Sequence, residues 1–216
     1  MEKSNLRKLT MLAVLSAISF VVMLVGRVPM MSIPGLTLKY DPKDIIIIIG
    51  GFMYGPLSAA AISLIVSFFE MIFASETGPI GLLMNVVSSC SFACTAAIIY
   101  KYKRTLSGAV TGIISGAVLT AFVMVLWNYL ITPIYVGIPR AAVVPFLMPF
   151  FLPFNLIKGG INAAAAMIIY KPTARVIRMF APSEDSEKKY ESNILVILTA
   201  AAVIVICLAM VFLIFN

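Results

Sequence analysis

Three polar residues interrupt the apolar run "FLPFNLIKGGINAAAAM", residues 151–167: Asn155, Lys158 and Asn162. Their spacing, i, i+3 and i+7, puts an ammonium and two carboxamides on one face of a helix. A charge inside a membrane costs roughly 2.5–3.5 kcal/mol on insertion scales, and such residues face a cavity or a bundle interior. Lys158 therefore needs acceptor oxygens. Two sources are open: an internal pair with Glu70 or a backbone carbonyl, or a bound ligand. A complementary set stands in "LWNYLITPIY", which carries Trp127, Asn128, Tyr129 and Tyr135. Trp and Tyr alone would form an interfacial belt. Asn128 is different, because a buried carboxamide must be satisfied. Carboxamides offer donors and an acceptor, and an ammonium offers only donors. Asn128, Asn155 and Lys158 together suit a flat heterocycle edged with carbonyl and imide groups, its faces covered by aromatic and Met side chains.

Pro149 and Pro153 disfavour a regular helix before them, so the helix is expected to start near Phe154. Lys158 then lies near a helix N-terminus, where the dipole disfavours a cation. The stretches "GLTLKYDPKD" and "TGPIGLLMN", the second bearing Asn85, fall on the same side of the membrane, and their glycines allow close backbone approach. Glu70 is the carboxylate that lies deep in an apolar run, near the outer end of its span. It reads as interfacial or ligand-facing.

Other chemistries find no support. The chain has no histidine, which removes His-based acid–base catalysis, His-ligated metals and His pH switches. It has no phosphate-binding G-x-x-x-x-G-K-[ST] loop, no H-E-x-x-H and no G-x-S-x-G. Cys90, Cys94 and Cys207 lie in apolar runs with no further ligands to complete a metal site, and read as small buried hydrophobes.

The elements that must position these residues are membrane helices. Of 216 residues, 62% are hydrophobic and 12% charged, and mean hydropathy is +1.07. A soluble domain carries about twice that charge. Spans are expected at 9–29, 57–74, 80–100, 106–131, about 150–171 and 194–215. Residues 45–54 are short for a span. They read as a short or tilted helix turned sharply at "GP" into 57–74, or as the start of one long kinked helix. The first run lacks a clear cleavage site and is expected to be a mature helix. Residues 1–175 form the expected six-helix domain, 176–193 a charged linker, and 194–216 an additional helix.

Charge sets the orientation. With the N-terminus inside, eleven of the sixteen basic residues fall in cytoplasmic segments: Lys3, Arg7, Lys8, Lys101, Lys103, Arg104, Lys171, Arg175, Arg178, Lys188 and Lys189. Arg27, Lys39, Lys43 and Arg140 fall outside, and Lys158 lies within a span. The excess matches the positive-inside rule, and it places Asn155, Lys158 and Asn128 in the outer half. On the first helix, "AVLSA" sets Ala13 and Ala17 as a small-xxx-small pair, which permits close helix contact.

These residues resemble a family. "AVLSA", "LKYDPKDIIIIIGGFMYGP", "GLLMN", "NYLITPIY" and "PFNLIKGG" are similar to motifs of the substrate-binding S-components of energy-coupling-factor (ECF) vitamin transporters, riboflavin type. The resemblance covers about residues 8–175. "NYLITPIY" and "PFNLIKGG" carry the riboflavin type, and the others recur in S-components for other vitamins. The resemblance implies an all-α integral membrane protein of the bacterial cell membrane, a six-helix S-component-like bundle, here with an extra C-terminal transmembrane helix. It implies high-affinity riboflavin binding at the outer face, with riboflavin as transported ligand rather than cofactor. Uptake would be driven by a transmembrane coupling protein and two cytoplasmic ATPases, the S-component reorienting in the membrane. Asn128, Asn155 and Lys158 would hydrogen-bond the isoalloxazine edge. Leu38, Tyr40 and Asp41 of the first outer loop, Gly81 and Asn85 of "GLLMN", and Tyr129 would complete the pocket. Ala13 and Ala17 would meet the coupling protein. Three other readings stay open: an S-component for another vitamin or precursor, a membrane enzyme or assembly factor, and a stand-alone secondary transporter. Missing His and missing paired intramembrane carboxylates oppose the second, and missing paired broken helices oppose the third.

Overall fold

A computed structural model of the protein describes residues 2–33, 36–75 and 77–180. Helix α1 (Glu2–Gly26) leads into a β-hairpin of β1 (Val28–Ile33) and β2 (Leu36–Tyr40). Then come α2 (Lys43–Tyr54), α3 (Pro56–Phe73), α4 (Gly78–Ser89), α5 (Thr95–Tyr102) and α6 (Leu106–Leu130). Two short helices, α7 (Thr132–Val136) and α8 (Arg140–Phe146), precede α9 (Leu152–Phe180). One π-helical turn, Cys90–Cys94, joins α4 to α5, and another, Leu147–Phe151, joins α8 to α9. Among the described residues the bundle thus has six helical passes. Five helices among the described residues are long and apolar enough to cross a membrane. The exception is α2, whose 12 residues rise only about 18 Å.

Gly55 separates α2 from α3. Its φ of +90° suits glycine and strains other residues. Pro56 follows at the start of α3, where a missing N–H costs nothing. Residues 45–74 are therefore two helices rather than one long kinked helix.

The expected first outer loop is an antiparallel hairpin, with Val28 opposite Tyr40 and Ile33 opposite Leu36. Two expectations need correction. The last helix does not begin near Phe154. Helical backbone runs from Arg140 through the π turn into α9. The nitrogens of Pro149 and Pro153 cannot donate, and the wider turn absorbs this without ending the helix. Lys158 consequently sits well inside a helix, away from any unfavourable N-terminal dipole. Helix α9 also continues to Phe180, past the expected domain end at 175. The expected seventh span at 194–215 lies outside the described residues.

Small residues let the passes approach closely. A Cβ at Gly112 would lie 2.7 Å from the Ala96 carbonyl oxygen, and one at Gly116 would overlap that of Phe92. Across α6, a Cβ at Gly159 would meet the Ala117 Cβ at 3.0 Å. Such contacts replace the hydrophobic drive that lipid does not supply. One core of Ile45, Ile47, Ile48, Phe52, Ile62, Val66, Phe92 and Ile113, padded with alanines, fills the bundle centre.

Candidate ligand-binding site

A cavity of about 130 Å³, open at its mouth, lies between the hairpin and the ends of α3, α4, α6, α7 and α9. The hairpin supplies Leu36, Thr37, Leu38 and Lys39, and Asp41 follows it. Met84 and Asn85 come from α4, Met124 and Asn128 from α6, and Tyr135 from α7. Phe154, Asn155 and Lys158 come from α9. Apolar faces and a few polar groups converge on one space.

The carboxamides are pinned by their own helices. Asn128 Nδ2 donates to the Met124 carbonyl at 2.6 Å, and its Oδ1 accepts from Thr132 Oγ1 at 2.8 Å. Asn155 Nδ2 donates to the Phe151 carbonyl at 2.7 Å. Each amide nitrogen carries two hydrogens, so one donor per amide remains after its orientation is fixed. That is preorganisation, which lowers the ordering cost of binding.

Beneath the cavity lies a cluster of buried charge. Lys158 Nζ bonds Asp41 Oδ2 at 3.2 Å, and Lys43 Nζ stands 3.9 Å from Asp41 Oδ1. Glu70 accepts from Lys43 on one oxygen and from Arg27 on the other. Arg27 also donates to the Ala74 carbonyl at 2.9 Å. Asp44 accepts from Ser89 Oγ and, at 3.3 Å, from Asn162 Nδ2, while Asn162 Oδ1 accepts from Tyr40 Oη at 2.9 Å. The segment "YDPKD", residues 40–44, is the hub. Its four polar side chains reach α9, α3 and α4. Burial works to raise the Asp41 carboxyl, but the Lys158 and Lys43 ammoniums outweigh it and hold it below the ordinary carboxylate value. Its Oδ1 is buried and accepts no hydrogen bond, with the Lys43 ammonium 3.9 Å away. Burial pushes the Tyr135 phenol up to about 12, which keeps it a neutral donor.

Of the nine residues that the resemblance places at the pocket, six line the cavity: Leu38, Asp41, Asn85, Asn128, Asn155 and Lys158. Tyr40, Gly81 and Tyr129 do not. Tyr40 reaches Asn162 below it. Gly81 is packed under the turn before α4, where a Cβ would overlap Thr77 Oγ1. Tyr129 is 38% exposed, with the Arg140 guanidinium 5.9 Å from its ring. Ala13 and Ala17 lie on the exposed face of α1. The acceptor for Lys158 is Asp41 rather than Glu70 or a backbone carbonyl. Glu70 is 1% exposed and borders the cavity. Lys43, by charge pattern an outer-loop residue, is 1% exposed. Sequence reasoning also misses that Asp41, Asp44 and Glu70 cluster. The alternation of acids and bases in "KYDPKD", directly before five isoleucines, is the signal that marks them.

The fold and the cavity define a membrane-embedded binding protein, with its site at one end of a helical bundle. A family model described as "ECF transporter, substrate-specific component" matches residues 7–170, and the chain belongs to that family. It is 27% identical over 178 residues to the riboflavin transporter RibU of Staphylococcus aureus, covering 80% of this chain and 93% of that protein. It is 28% identical over 177 residues to the riboflavin transporter FmnP of Bacillus subtilis, covering 77% and 91%. Among solved structures it is similar to the S component of a bacterial ECF transporter, with a TM-score of 0.67 and 27% identity, over 81% of this chain and 99% of that one. Its class is therefore a transport subunit of the membrane.

Proposed function

We propose that this chain is the riboflavin-capturing subunit of an ECF-type uptake system, taking the vitamin at the outer face for delivery inward. The observation that carries the reading is convergence. Residues as far apart in sequence as Leu38, Asn85, Asn128 and Lys158 meet in one cavity. Relatives of nearly full length are named riboflavin transporters. The chemistry suits a flavin. Lys158 and the spare amide donors of Asn128 and Asn155 match ring carbonyls. Phe154, Met84 and Met124 supply cover for the ring faces.

The N-terminus is inside by the charge bias of the sequence. The partners are a transmembrane coupling protein, which meets the Ala13–Ala17 face of α1, and two ATPases. No residue has a catalytic role.

Trp127, the single tryptophan, offers the test. It is buried, directly before Asn128. Titration of the purified protein with riboflavin should quench its fluorescence with a stoichiometry of one, and the protein should copurify with yellow flavin. Excess thiamine or biotin should not compete. If another vitamin displaces riboflavin from the protein at comparable concentration, the ligand assignment is wrong.

A further inference from the structure

At the base of the hairpin that walls the cavity, one side chain ties both stems. Arg27 directly precedes β1, and Lys43 opens α2 just after β2. Both cations reach Glu70 of α3, one on each carboxylate oxygen. The hairpin's two stems, which pair at Val28 and Tyr40, therefore converge on a single carboxylate from a different helix. Arg27 also donates to the Ala74 carbonyl, a tie on the β1 stem. Tyr40 and Asp41 bond Asn162 and Lys158, on the β2 stem alone. Near the far end, Ile33, Leu36 and Leu38 pack on Val143, Leu147 and Phe151.

We propose that Glu70 is a positioning residue that clasps the hairpin over the cavity and so sets how long the ligand stays. Its charge is what counts. Lys43 is 1% exposed and the Arg27 side chain 21% exposed, so the two cations share a poorly hydrated site. With the carboxylate between them they attract it from both sides. Without its charge they repel each other, and the repulsion pushes the two stems apart where the hairpin begins. Asp41, 3.9 Å from Lys43, retains that ammonium but does not hold the β1 stem. The inference rests on ligand capture in this cavity, yet the closure of the hairpin is measurable without ligand.

The test combines Glu70→Gln, which keeps the volume and removes the charge, with Arg27→Gln, which frees only the β1 stem. Two quantities are read: the riboflavin off-rate by stopped-flow fluorescence, and amide hydrogen exchange of residues 28–40 in the ligand-free protein. Glu70→Gln should speed release by tenfold or more while the on-rate stays within about threefold. Exchange should rise in the hairpin and not in α6, because opening is local. Arg27→Gln should fall between Glu70→Gln and the unsubstituted protein in both readouts. Off-rates within twofold and unchanged hairpin exchange in both variants would overturn the proposal. Exchange that rises equally in α6 would also overturn it, because it would mark a general stability role. If the unsubstituted protein fails to bind riboflavin, the functional reading falls, and hairpin exchange alone still decides the clasp.

Discussion

At the scale of single residues, Lys158 couples binding to burial. Its ammonium is buried against Asp41, so removing it takes away the proposed ligand donor and also strips that carboxylate of its hydrogen-bonded cation. Truncating one partner of such a pair costs about 2–5 kcal/mol. Lys158→Ala is expected to weaken riboflavin binding by roughly 100-fold or more and to lower thermal stability as well. The double change Asp41→Asn with Lys158→Met removes both charges. It should recover the stability but not the affinity, read by differential scanning fluorimetry and calorimetric titration. Asn155→Ala removes a hydrogen bond without stranding a charge, and about tenfold in affinity is expected. Full stability with unchanged affinity in Lys158→Ala would remove it from the site. The polar positions in apolar runs are legible from the sequence alone, since Asn128, Asn155 and Lys158 are costly wherever lipid surrounds them. Their internal partners are not. Lys158 meets a residue 117 positions away, and nothing local in the sequence specifies that pairing.

At the scale of elements, close approach decides which substitutions the bundle tolerates. Gly116→Ala drives a Cβ into a backbone oxygen of the neighbouring pass, which cannot yield as a side-chain tip can. A loss of about 1–3 kcal/mol is expected, seen as a fall of several degrees in the melting temperature in detergent. Gly160→Ala meets nothing within 4 Å and serves as the matched control. Equal melting temperatures for the two variants would mean that α6 and the α4–α5 pass do not pack as described. The helices are readable from apolar length, and Gly55–Pro56 marks the break between α2 and α3. The hairpin is hidden. Its strands are short and part-exposed, with burial alternating weakly, although Pro34–Gly35 in "SIPGL" is a turn signal. The start of the last pass is equally hard to read, because a proline stops a regular helix but not one that widens into a π turn.

At the scale of the whole molecule, the proposed function makes the chain a receptor that draws its energy from other subunits. It carries no nucleotide-binding loop, and its cavity opens at one end. Reconstituted alone in liposomes, it should bind external riboflavin and accumulate none. Accumulation should appear when the coupling protein and both ATPases are added with ATP inside. Concentrative uptake by the chain alone would place it among secondary transporters instead. Under the cavity, three cations, Arg27, Lys43 and Lys158, face three carboxylates, Asp41, Asp44 and Glu70. With all six ionised, their charges sum to zero. Moving one unmatched charge through a membrane potential takes about 2.3 kcal/mol per 100 mV. Were these six to move together while ionised, displacing the bundle along the field would do no net electrical work through them. An energised membrane would then neither drive nor resist such a movement through the polar floor of the site.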